Sequence, residues 1–261
     1  MLLVSARMVI SDLNRYIFVE VPQTASTALA AELIENYGGR RIFRKHTDYL
    51  EFYRSASKEE RNYRILATVR NPLDIVVSKF VKARDDHRNR YGSSREHNAP
   101  WGYRFRPEAR EFAFISRHGP NFDAYVRKFY PRLYNSRACL LPDHAHVLRF
   151  ERLNEDFAKW LNALGLRLVR PLPLRHATEG RDRKFATWYQ GELRGDAVRV
   201  FGPYMRRWGY DFPWDWPNVE PSAKEELLFN FDTALRRFYF RRIHYGWIMP
   251  RARRNQRPEK A

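Results

Sequence analysis

The clearest pattern in the chain begins at residues 16–21, YIFVEV, an apolar run of strand length that breaks into the small, hydroxyl-rich stretch PQTAST. From Ala28 the apolar positions change period, with Leu29, Leu33 and Ile34 at helical spacing. This predicts a strand over 16–21, a tight loop over 22–27 and a helix that ends at Gly38-Gly39. Residues 41–46 then read as a short strand, and a helix capped by Thr47 or Asp48 turns Tyr49, Phe52 and Tyr53 inward. Residues 64–69 form the next strand, with Arg70 at its end. Asn71 as N-cap and Pro72 at the first helical position open a helix that runs to Arg84. Ahead of all this, MLLVSARMVISDLNR reads as a first strand or lead-in, because it lacks the leading basic region and small-residue cleavage site of a signal peptide.

Periodicity weakens over residues 85–120, where charges, Gly, Pro and aromatics predict an insertion or lid with a short helix around 107–116. It returns as a helix over 122–129, a strand over 146–151 and a helix over 154–164 ending at Gly165. A basic loop over 170–190 carries Arg175, His176, Arg181, Arg183 and Lys184. A helix near 192–201 follows. The last helix opens with Ser222 and Glu225 at capping-box spacing and runs through Leu228, Phe231, Leu235 and Phe238 to about Arg242. Strands alternating with helices predict an α/β fold with a central parallel sheet and ligands outside the strands' carboxyl ends. The 22–28 loop, His46 and Arg70 all fall at that edge.

Size and composition set bounds on this picture. With 261 residues, 44% hydrophobic and 15% aromatic, the chain suits one domain over 1–250, followed by a basic tail at 251–261 expected to be disordered. A formal charge of +18 and a pI near 10.3 point to polyanionic partners without choosing among them. Cys139 is the only cysteine, so no intramolecular disulfide exists and the thiol reads as a buried small hydrophobe. No stretch approaches the ~18 apolar residues of a transmembrane helix, and a cytoplasmic protein is the expectation.

The loop after the first long strand is also where chemistry is expected. A strand–loop–helix junction presents free backbone N–H groups at the helix start, and Thr24, Ser26 and Thr27 add hydroxyls, which together suit a phosphate or sulfonate. It is not a Walker A loop, since it has neither the glycines nor the lysine of that motif.

Two segments, VPQTAST and VRNPLDIVVS, together resemble the donor-binding segments of sulfotransferases that use 3′-phosphoadenosine-5′-phosphosulfate (PAPS). In that family a P-K-T-x-x-T loop holds the 5′-phosphosulfate, and an arginine and a serine eight positions apart hold the 3′-phosphate; Arg70 and Ser78 have that spacing. HTDYLEF (46–52) and the P-x-T-A-S-T core resemble heparan sulfate 2-O-sulfotransferase in particular. HVLRFERL resembles a further family segment, and GPYMRRWGYDFP its closing one, with Arg206 where an acidic residue is usual. The resemblance implies a P-loop-like three-layer fold, PAPS as donor, and 3′,5′-adenosine bisphosphate (PAP) as product. It implies that Thr24, Ala25, Ser26, Thr27, Ala28, Arg70 and Ser78 bind the nucleotide and that His46 is the general base. The chain departs from the family at Gln23, where the pattern has a lysine that stabilises the leaving group. Either another cation, such as Lys45 or an arginine of the two basic loops, takes over, or the protein binds nucleotide with impaired turnover and serves as a basic interaction module.

The acceptor implied is a hydroxyl-bearing carbohydrate or small molecule, with an anionic glycan suited to the net charge. Nucleic acid is the disfavoured partner, although Arg-rich aromatic loops can bind phosphates and stack on bases. His144 and His146 could share a strand face as metal ligands, but no third ligand is evident and no metal is expected.

Overall fold

In the computed structural model, residues 8–43, 48–86, 107–172, 184–216 and 220–248 are described. The chain forms two compact units, one comprising Met1–Arg70, Asn135–Arg175 and Asn230–Ala261, the other Asn71–Tyr134 and His176–Phe229.

The first unit carries a five-stranded mixed sheet of order β3-β1-β2-β4-β5. Its strands are β1 (Met8–Ser11), β2 (Tyr16–Val19), β3 (Arg40–Ile42), β4 (Arg64–Val69) and β5 (His146–Arg149). β2, β4 and β5 are mutually parallel, as the alternation of strands and helices predicts. β1 departs from the wholly parallel expectation by running antiparallel to both β2 and β3. The cause is local. Only Asp12–Arg15 separate β1 from β2, too short a link for a crossover, so the chain reverses in a hairpin with Arg15 at φ 52°.

Period two in the strands divides their side chains between the faces. Val9, Tyr16, Phe18, Leu66 and Leu148 form one core with Leu29 and Leu33 of α1 (Ser26–Asn36) and with Phe157, Trp160 and Leu161 of α6 (Leu153–Ala163). The Tyr16 hydroxyl donates toward the carbonyls of Leu33 and Tyr37, so the end of α1 is tied to the sheet. Gly39 completes that junction: a Cβ there would lie 2.6 Å from Val9 Cγ1 and 2.7 Å from the Leu33 carbonyl oxygen, and its own N–H bonds that carbonyl at 2.9 Å. α2 (Tyr49–Ser55) starts from Asp48, whose side chain accepts from the N–H groups of Leu50 and Glu51. Tyr49 and Phe52 are buried as expected, but Tyr53 faces outward beneath the Arg61 guanidinium, 4.7 Å from its ring.

The second unit is helical, with α3 (Pro72–Arg84), α4 (Pro107–His118), α5 (Phe122–Phe129) and α7 (Leu193–Arg207) around Val77, Phe80, Tyr125, Tyr189 and Phe201. Inside it, Lys79 of α3 meets Glu111 of α4 at 2.5 Å, with Tyr130 on the lysine and Tyr125 on the carboxylate. α7 runs past the predicted end at 201, through Gly202 and Pro203. Proline supplies no N–H and crowds the preceding turn, and one turn before it the Val200 carbonyl accepts the N–H of Tyr134 at 2.8 Å. Arg206 pairs with Glu226 at 3.0 Å.

The last helix, α8 (Ala223–Phe238), continues as a π-helical stretch, Tyr239–Ile248. Its capping box forms as read from sequence, Ser222 N–H to Glu225 at 2.7 Å and Glu225 N–H to Ser222 at 3.3 Å. Of its apolar positions Phe229 is buried, but Leu228, Phe231, Leu235 and Phe238 are exposed. Among the described residues no helix is long and apolar enough to cross a membrane.

Candidate functional site

Beyond β2 the chain stays buried through Val21 and then turns at Pro22–Ala25 into α1. Gln23 (φ 68°) and Ala25 (φ 58°) both adopt the left-handed region, which disfavours residues with a Cβ by roughly 1–2 kcal/mol each. The loop is held by Thr24. Its buried hydroxyl donates to the Val21 carbonyl at 2.8 Å and lies 2.5 Å from the hydroxyl of Thr68 on β4. Because the Thr24 proton goes to Val21, Thr68 is the donor of the hydroxyl pair. The Thr24 side chain, predicted as a ligand donor, is thus occupied in fastening the loop to the sheet.

The helix start offers donors nearby. Ala25 is the N-cap residue, no side chain caps it, and the first turn of α1 holds no acidic residue. Intrahelical bonding begins with Ala28 N–H to the Ala25 carbonyl at 3.0 Å. The N–H of Ala28 is therefore used, while those of Ser26 and Thr27 have no backbone or capping partner among the described residues. These two groups carry the partial positive charge of a helix N-terminus. Thr27 is exposed, Ser26 is buried, and Gln23 projects from the exposed part of the loop.

Arg70 follows the last residue of β4 and is buried. One of its guanidinium nitrogens lies 3.4 Å from the Gln23 carbonyl oxygen, and the guanidinium stands 4.4 Å over the Phe150 ring. A permanent cation is thereby packed against the same loop whose helix presents N–H groups without a backbone or capping partner among the described residues. Phe150 and Thr68, which position Arg70 and the loop, were missed by sequence reasoning. Each lies in a flagged segment, RFE or ATVR, and proximity in three dimensions gives it its role.

Ser78 is buried on α3 in the second unit, and Asn71 caps that helix by accepting from Leu73 N–H at 2.9 Å. His46 and Lys45 lie outside the described residues, as do most of the lid and basic-loop residues. His144 and His146 line a concavity of about 660 Å³ with Arg61, Arg64 and Trp160, at the amino ends of β4 and β5, opposite the loop. Burial there pulls His146 below the ordinary histidine range, with Asp156 opposing the shift. Among the described residues no group of three or more His, Cys, Asp or Glu side chains converges as a metal site. No protein-family model, curated protein or solved structure matches the chain.

Proposed function

We propose that the chain is a PAPS-dependent sulfotransferase that transfers a sulfuryl group to an acceptor hydroxyl, most fittingly on a carbohydrate. The observation that carries this reading is the approach of Arg70 to the Gln23 carbonyl, beside a helix start whose Ser26 and Thr27 N–H groups have no backbone or capping partner among the described residues. The helix donors suit the 5′-phosphosulfate, and a fixed cation beside the same loop suits the second phosphate of the same nucleotide. In the proposed assignment the 5′-phosphosulfate lies at the 23–28 loop, and Arg70 takes the 3′-phosphate.

Sulfuryl transfer is mostly positioning and electrostatics. The acceptor oxygen forms a bond to sulfur as the bond from sulfur to the 5′-phosphate oxygen of PAP breaks. The acceptor proton passes to His46, and the electron pair leaves with PAP. Gln23 can donate a hydrogen bond to the leaving oxygen but brings no charge. That residue favours a second reading, a protein that binds PAP or PAPS with impaired turnover and acts as a basic interaction module.

Calorimetric titration with PAP and with ADP, which lacks the 3′-phosphate, tests the reading. Binding of PAP at least tenfold tighter than ADP, lost in Arg70→Ala, is expected. Equal or negligible binding of both would overturn it. Steady PAPS-dependent turnover abolished by His46→Ala would exclude the second reading.

A further inference from the structure

α8 is mounted inside out. At 3.6 residues per turn, Leu227, Leu228, Phe231, Ala234, Leu235 and Phe238 fall within an arc of roughly 120°, the width of a core-facing stripe. Yet Phe231, Leu235 and Phe238 are 66%, 54% and 58% exposed, and Leu227 and Leu228 continue the same exposed stripe. The side that packs is largely polar. Asn135 donates to Asp232 at 2.7 Å and to Thr233 at 3.2 Å. Arg237 donates to the carbonyls of Cys139 and Leu141 at 2.9 and 2.7 Å and pairs with Asp143. These contacts, with the buried Phe229, hold one side of the helix and leave Phe231, Leu235 and Phe238 facing water. A contiguous exposed stripe of this kind marks an interaction surface.

Charge identifies what it fits. Exposed Lys224 and Arg242 stand near the two ends of the stripe and exposed Arg241 beside it, while Arg236, on the far side, pairs with Asp232 at 2.9 Å. Beyond them the sequence adds PRARRNQRPEKA, and the whole chain carries +18. A second copy would bring equal charge to the same face, and self-repulsion opposes that. The two phenylalanines and three leucines also fall short of the roughly 800 Å² per partner that stable dimers bury. A helix with an aromatic and aliphatic face rimmed by Lys and Arg suits an anionic bilayer, where the apolar side enters the headgroup boundary and the cations meet lipid phosphates and carboxylates. We infer that α8 docks the protein on anionic lipid surfaces, with Phe231, Leu235 and Phe238 inserted. This does not depend on the sulfotransferase reading.

The test is sedimentation of the full chain with phosphatidylcholine vesicles and with vesicles in which about a quarter of that lipid is replaced by phosphatidylserine. The wild type should bind the second kind. Phe231→Ser combined with Leu235→Ser leaves net charge unchanged and alters only exposed side chains, and it should weaken partitioning by about tenfold or more. Hydrogen exchange of the unmodified protein, with and without vesicles, should show lipid protection over 227–239. Unchanged binding by the double variant would mean that basic surface alone binds lipid, and would overturn insertion. So would protection confined to other segments, absence of vesicle binding, or a lipid-free dimer that the same substitutions dissociate.

Discussion

Thr68 on β4 donates its hydroxyl to that of Thr24, at 2.5 Å, and Thr24 in turn donates to the Val21 carbonyl at 2.8 Å. This chain of two bonds fixes a loop that contains two left-handed residues and no glycine. Thr68→Val keeps the shape of the side chain and removes the donor. It should lower stability by about 1–2 kcal/mol in urea unfolding, since Thr24 is buried. If the loop is the nucleotide cradle, PAP binding should weaken in the same variant. Unchanged urea midpoint would show that the loop is held by other contacts.

A second relationship concerns the largely enclosed Lys79 and the buried Glu111 of the second unit. Breaking such a pair from one side leaves an uncompensated charge, so Lys79→Met and Glu111→Gln should each cost about 3–5 kcal/mol. Lys79→Met together with Glu111→Gln should cost clearly less than the sum of the two, with a coupling on the order of 2 kcal/mol in a double-mutant cycle. Additive effects would indicate that the two side chains act independently.

The same cluster sets the response to alkali. Burial pushes the Tyr125 and Tyr130 phenols above their ordinary range, Tyr130 against an opposing pull from Lys79. For Lys79, burial pulls down, but Tyr130 and Glu111 outweigh it and hold the ammonium above its ordinary 10.5. All three groups keep their protons in the folded state at a pH where the unfolded chain releases them. Their contribution to stability is therefore constant below about pH 10 and falls as pH rises beyond it. Urea midpoints measured from pH 8 upward should show this decline, and a smaller one in the lysine-to-methionine, glutamate-to-glutamine double variant.

Strands 16–19 and 64–69 and the helix from Pro72 to Arg84 were legible because apolar period, Asn71, Pro72 and strand length agree there. The sense of β1 was not, because strand alternation says nothing about a strand that precedes the first crossover; the four-residue link to β2 was the available signal. α8 shows a different limit. Its period marks an apolar face at Leu228, Phe231 and Leu235, but period does not say whether that face meets the protein or something else. In the candidate site, the loop and Arg70 were visible as residue types. That Thr24 would turn inward to Thr68, and that Arg70 would rest on Phe150, depends on contacts between segments distant in sequence.

Gln23 is the residue on which the proposed chemistry turns. It already occupies φ 68°, so lysine at this position meets the same backbone cost and Gln23→Lys should leave stability unchanged. Its side chain lies on the exposed part of the loop, where an ammonium can reach a leaving oxygen without displacing core atoms. An electrostatic stabiliser of this kind is typically worth about 10²–10³ in turnover, and Gln23→Lys should raise PAPS-dependent turnover by an amount of that order while changing PAP affinity far less. A gain in affinity without a gain in turnover would mean that the added charge acts equally on bound donor and transition state. No gain in either would mean that a second cation already neutralises the leaving group, and Lys45→Ala should then lower turnover in the wild-type background.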